Sequence, residues 1–291
     1  MSDRRASRRA VPSYPADWQL TGTAGVGPFT TGATFRRRDG STVDWDARSH
    51  RKHTGHTRVP ARTWWIASLF SIGAACFAIG PLPAVAQRVG PRADALIFAV
   101  GAVFFTSAAA LSFLEAINAP DEIAEPDGPR RRGPFRMVAW RPHTIDWWAN
   151  GVQFIGTIAF NVTTISGLVM TWTTRQQIVR VWVPDAFGSV CFLIASALAF
   201  AEVASTVGAF RPSRVSWWVV ALNLSGSIWF GIAALGSFVL PATGEMVRLR
   251  ADNVGTSLGG VCFLAAAVLL VPEARWRRRG DVALAGESTR S

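Results

Sequence analysis

Six blocks of apolar, nearly uncharged sequence constrain this chain more than any other feature: residues 63–87, 95–114, 147–174, 186–201, 215–244 and 253–272. A run of about 20 mostly apolar residues spans the hydrocarbon core of a bilayer. Five blocks reach that length, and the fourth is interrupted only by Glu202, beyond which apolar sequence continues to Val207. The pattern predicts an all-α integral membrane protein with six transmembrane helices. Charged residues make up 17% of the chain, against roughly a quarter in a typical soluble domain. That composition excludes a soluble enzyme, a secreted disulfide scaffold and a DNA-binding domain. Cys76, Cys191 and Cys262 all fall inside apolar blocks, where a thiol acts as a small hydrophobe, so neither a disulfide nor a metal framework is expected.

The charges set the expected orientation. The chain carries 30 basic residues, of which only Lys52 is lysine, and a net charge of +11. Twelve lie in the first 63 residues, five in 118–146, two in 204–216 and five in the tail, whereas the three intervening loops hold six between them. Positive charge is retained on the cytoplasmic side, so both termini are expected there, in a bacterial cell membrane. An even number of spans agrees. With 63 polar residues ahead of the first apolar block, no cleavable signal peptide is expected.

The apolar blocks repeat. Trp64-Trp65, Trp147-Trp148 and Trp217-Trp218 are followed at one spacing by Gly73, Gly156 and Gly226 and then by Phe77, Phe160 and Phe230. The intervening blocks carry a second pattern: Gly101, Phe105, Glu115; Gly188, Phe192, Glu202; and Gly259, Phe263, Glu273. Three gapless copies of both patterns predict three tandem hairpins of one orientation, related by an axis along the membrane normal. The expectation is a pseudo-threefold six-helix bundle. Hairpin 1 occupies 64–118 (spans about 64–86 and 94–117) and hairpin 2 occupies 147–204 (about 147–171 and 185–205). Hairpin 3 occupies 217–273 (about 217–240 and 254–273), with a cytoplasmic linker at 119–146 and a tail at 274–291. The tryptophan pairs read as interface anchors, and the Gly-x3-Phe elements as packing devices that admit a neighbouring backbone and fill the space beside it.

The candidate functional residues are polar groups in this apolar setting. A carboxylate at a helix C-terminus opposes the helix dipole by ~0.3–1 kcal/mol, so Glu115, Glu202 and Glu273 need a donor: a tryptophan indole or a cytoplasmic arginine. The alternative is a carboxylate solvated at the interface. Glu202 is the strongest candidate, because apolar sequence flanks it on both sides. Span three is the most polar, with Asn150, Gln153, Thr157, Asn161, Thr163, Thr164 and Ser166. Gln153 and Asn223 occupy the repeat position held by Phe70. Such amides either bond across helices or line a polar cavity, as a transporter requires. No charge lies mid-span, which argues against a proton relay, a voltage sensor or an ion pump.

Catalytic signatures are missing. His50, His53, His56 and His143 and Lys52 lie outside the spans, which removes intramembrane haem ligands and a retinal Schiff base. There is no H-E-x-x-H, no G-x-S-x-G and no P-loop. The H-x2-H-x2-H spacing at 50–56 reads as solvated rather than metal-binding. No catalytic residue, metal or cofactor is expected. Residues 1–33, rich in Ser, Thr, Gly, Pro and Arg, are expected to be disordered, with a short hairpin at 34–45 turning at Asp39-Gly40. The basic stretch 48–62 is expected against anionic headgroups, the 119–138 loop to be flexible, and the tail after Arg279 to be disordered.

The chain resembles a group of uncharacterised actinobacterial multi-pass membrane proteins whose two-helix units are similar to the YrhK-like membrane domain. The resemblance rests on W-W-I-A-S-L-F-S-I-G at 64–73, I-D-W-W-A-N-G-V-Q-F-I-G-T at 145–157, V-P-D-A-F-G-S-V-C-F at 183–192 and R-S-H-R-K-H at 48–53. It implies a membrane protein built from hairpins and brings no activity, substrate or catalytic residue. Two functions remain open: a non-enzymatic structural, lipid-interacting or partner-binding bundle, and a transporter or channel for a small neutral solute along the axis. The expected partners are the bilayer and its anionic cytoplasmic headgroups, not nucleic acid. A homo-oligomer is compatible with the sequence.

Overall fold

A computed structural model describes residues 11–52, 61–123, 134–208 and 210–288. Three strands come first: β1 (Gln19–Val26), β2 (Phe29–Arg36) and β3 (Thr42–Asp46). Nine helices follow: α1 (Ala47–Lys52), α2 (Ala61–Ile79), α3 (Pro83–Val89), α4 (Pro91–Ile117), α5 (Ile145–Ser166), α6 (Thr174–Gln177), α7 (Val183–Val207), α8 (Val215–Gly236) and α9 (Leu249–Ser288). A π-helical turn, Ile178–Trp182, joins α6 to α7. Five segments are long and apolar enough to cross a membrane: α2, α4, 174–206, α8 and the 249–275 part of α9. The polar side chains of the 22-residue α5 leave it outside that group.

α2, α4, α5, α7, α8 and α9 form a ring in which each packs on its two neighbours and α9 closes onto α2. Glycine decides the closeness within each pair. A Cβ on Gly73 would lie 2.7 Å from the Gly101 carbonyl oxygen, one on Gly156 3.2 Å from that of Gly188, and one on Gly226 3.1 Å from that of Gly259. Any side chain at these crossings would wedge the helices apart.

Six phenylalanines fill the space the glycines leave. Phe77, Phe160 and Phe230 form a triangle with ring centroids 5.6, 5.6 and 6.4 Å apart. Phe105, Phe192 and Phe263 form a second, at 5.5, 5.8 and 5.9 Å. The triangles are joined within each helix pair, Phe77–Phe105 at 6.0 Å, Phe160–Phe192 at 4.9 Å and Phe230–Phe263 at 5.4 Å. All six rings are buried in one core. Aromatic pairs at such distances contribute ~0.5–1.5 kcal/mol each beyond area burial. The outer faces carry exposed Val, Ile and Leu, including Val100, Val103, Ile194, Ile228, Val261 and Val268.

The N-terminal segment departs from the sequence-based expectation. Most of residues 19–46, expected to be disordered as far as residue 33, pair into an antiparallel sheet in the order β1-β2-β3. The β2–β3 turn does use Asp39 and Gly40: Gly40 has φ +85°, and Asp39 accepts hydrogen bonds from the Ser41 backbone and hydroxyl. This segment has too few apolar residues for its own core, and it borrows one. Trp18, Ala33 and Phe35 bury with Ile123 from the linker, while Ser13 pairs with Asp121 and Ile123 through backbone hydrogen bonds. The start of the linker is thereby fixed rather than flexible. The sheet docks on α7: the Thr31 and Ser205 hydroxyls are 2.7 Å apart, and a Cβ on Gly32 would touch the Thr206 methyl at 3.2 Å. At the other end of the chain, α9 continues to Ser288 where disorder was expected after Arg279.

Candidate functional site

α1 follows β3 directly, with the Asp46 carboxylate accepting the Ser49 N–H at 2.8 Å as its N-cap. Arg48, Arg51 and Lys52 are spaced three and four apart and so share one face, which turns onto the end of the helix ring. Arg48 Nε donates to Glu273 Oε1 at 2.9 Å, and Lys52 Nζ to Glu273 Oε2 at 2.8 Å. Arg51 Nη1 lies 2.8 Å from Asp146 Oδ2 and 3.5 Å from Glu202 Oε1. Glu273 and Glu202 are only 1% and 2% exposed, so these carboxylates are neutralised by the arm and not by water. Burial alone would lower the pKa of Arg51, but the carboxylates of Glu202 and Asp146 more than offset it, and the guanidinium stays charged.

The expectation that this basic stretch lies on headgroups therefore fails for Arg48 and Arg51, both buried. A buried carboxylate is costly until a cation reaches it, and three carboxylates at the ring end attract α1 more strongly than a hydrated surface does. His53 and His56 lie outside the described residues. Among the described residues no group of three or more His, Cys, Asp or Glu is placed to hold a metal ion.

Beneath α1 lies a partly enclosed cavity of about 110 Å³. Arg48, Arg51 and Lys52 roof it, Phe105 and Phe263 floor it, and Glu115 and Glu202 stand in its wall. Phe70, Gln153 and Asn223, which share one repeat position, all line it. So do two further sets of equivalent positions, Ile66, Ala149 and Val219, and Ser112, Ala199 and Leu270. Among the described residues Glu115 forms no ion pair, and the side-chain amides of Gln153 and Asn223 form no hydrogen bond.

Asn161 is not in this cavity. Its amide donates to Thr106 Oγ1 at 2.5 Å and to the Thr157 carbonyl at 3.1 Å, bridging α5 to α4. Thr163 bonds the Val181 carbonyl at 3.0 Å and ties α5 to the π-helical turn. The polar side chains of α5 thus divide between cavity lining and helix bridging.

The tryptophans take backbone carbonyls rather than the glutamates. The Trp148 indole donates to Pro142 at 3.1 Å and that of Trp218 to Pro212 at 2.9 Å, each six residues earlier, and that of Trp147 donates to Ala139 at 3.0 Å. Trp64 lies under the Arg275 guanidinium at 5.8 Å, while Trp65 is exposed and Trp217 half-buried. Sequence reasoning missed α1 and Asp146 as the partners of the glutamates. The only local signal was the three-four spacing of Arg48, Arg51 and Lys52, which does not say what they face.

Five membrane-length apolar helices around a filled aromatic core, capped by a small sheet, mark the chain as a helical membrane protein. Comparison with protein-family models, with curated proteins and with solved structures finds no match to any of them.

Proposed function

We propose that the chain is a six-span, pseudo-threefold bundle of the bacterial cell membrane, non-enzymatic, with both termini cytoplasmic. Its task on this reading is structural or partner-binding, with the folded arm as its cytoplasmic face and lipid around its sides. Membership of the actinobacterial group with YrhK-like units is part of the proposal and rests on the motifs at 64–73, 145–157 and 183–192. For α5 as the sixth span, the support is its outward stripe of Ile155, Ile158, Val162 and Ile165, all exposed, at a spacing that puts apolar side chains toward lipid. For the pseudo-threefold axis, the support is the pair of phenylalanine triangles and the three sets of equivalent residues lining one cavity.

The observation that carries the non-transporting reading is the filled axis: the cavity ends on Phe105 and Phe263, and the six rings occupy the line a solute would follow. The polar cavity above them favours the second reading, a transporter for a small neutral solute whose aromatic layer must open. Proteoliposome swelling separates the two. With urea and glycerol as permeants, vesicles holding the wild-type chain should swell at the rate of protein-free vesicles. Acceleration by the wild type would replace the structural reading with the transporter. Impermeant thiol labelling at Met170→Cys from outside, and at Phe135→Cys only after permeabilisation, would support α5 as a span; labelling of both from one side would remove it.

A further inference from the structure

The repeat supplies three glutamates, and α1 neutralises two. Glu273 takes Arg48 and Lys52, and Glu202 shares Arg51 with Asp146. Glu115, on the cavity wall, has no ion pair among the described residues. Counting those groups, four carboxylates face three cations, one positive charge short. We propose that the cavity beside Glu115 binds a small organic cation, a protonated amine of a few carbon atoms.

The chemistry of the lining selects that class. Glu115 offers a carboxylate for the ammonium, and the open amide oxygens of Gln153 and Asn223 accept its remaining N–H groups. Phe70 and Phe105 supply aromatic surface for the organic part and for a cation over a ring. A hard divalent ion calls for six or more oxygen ligands, which one unpaired carboxylate and two amides do not supply. An anion would meet the wrong sign of charge. The cavity is of the same order as an engineered pocket of about 150 Å³ that admits benzene, so the ligand is no larger than a short alkylamine.

The test uses the full chain in detergent and reads thermal unfolding and calorimetric titration with ethylammonium chloride, beside sodium chloride at equal ionic strength and sodium acetate. Saturable heat and a rise in melting temperature are expected with ethylammonium only. Glu115→Gln should abolish both effects while leaving the unliganded melting temperature close to wild type. If that variant fails to fold, Gln153→Ala decides: it keeps every charge and should weaken ethylammonium binding by about threefold or more, the loss of one hydrogen bond. Equal responses to ethylammonium and sodium, or saturable binding that survives both variants, would overturn the proposal. The result does not depend on the swelling assay, since a site can fill whether or not the axis opens.

Discussion

The phenylalanine layer and the cavity above it are built from the same repeat and treat it oppositely. In the layer all three copies keep one residue: Phe77, Phe160 and Phe230 in one triangle, Phe105, Phe192 and Phe263 in the other. Each ring meets a copy of itself, and any departure leaves a void or a clash. In the cavity, equivalent positions differ. One holds Phe70, Gln153 and Asn223, another Ser112, Ala199 and Leu270. Even the shared glutamates have separate environments: Glu273 with two cations, Glu202 sharing one, and Glu115 lining the cavity. Close packing among identical partners holds a repeat to its pattern, whereas a cavity wall touching no copy of itself is free to diversify.

That contrast can be broken most directly in the layer. Phe160→Ala should destabilise the bundle by about 3–5 kcal/mol, read by chemical unfolding in detergent, and Phe77→Ala and Phe230→Ala should cost about the same. A spread of several kcal/mol among the three would mean that the layer is not shared equally by the repeats. Arg51→Ala, in the roof, leaves Glu202 and Asp146 buried without their cation and should cost about 3 kcal/mol. Pairing it with Glu202→Gln should recover part of that loss, and a double variant no better than the single one would show that the pair contributes little. Gln153→Phe, which copies the first repeat into the second, should change stability by less than about 1 kcal/mol, because the cavity leaves room. A large loss there would show the cavity wall to be as tightly determined as the layer.

Much of the fold is legible in the sequence for a reason visible in the contacts. The Gly and Phe of each hairpin meet the Gly and Phe of the same hairpin and the Phe of the next, so a local spacing carries the packing information. Gly259 illustrates this: a Cβ there would lie 2.4 Å from the Phe230 ring, and both residues belong to the repeat. The arm is a different case. Its Thr- and Gly-rich composition reads as disordered because the chain there cannot bury enough apolar area alone, and nothing local reveals that Ile123 and α7 complete its core. The polarity of α5 was visible, but not its division into Gln153, which lines the cavity, and Asn161, which bonds across to α4.

The sequence by itself determined the apolar helices, the hairpin pattern, the phenylalanine and glycine positions and the glutamates that need a partner, because hydrophobic length and repeat spacing act over a few turns of helix. Only the tertiary structure decided what meets those glutamates. Arg48 is 225 residues from Glu273, and Arg51 is 151 from Glu202. An ion pair between them exists only after the ring has closed and the sheet has docked on α7, where burial makes each carboxylate depend on the cation that α1 brings.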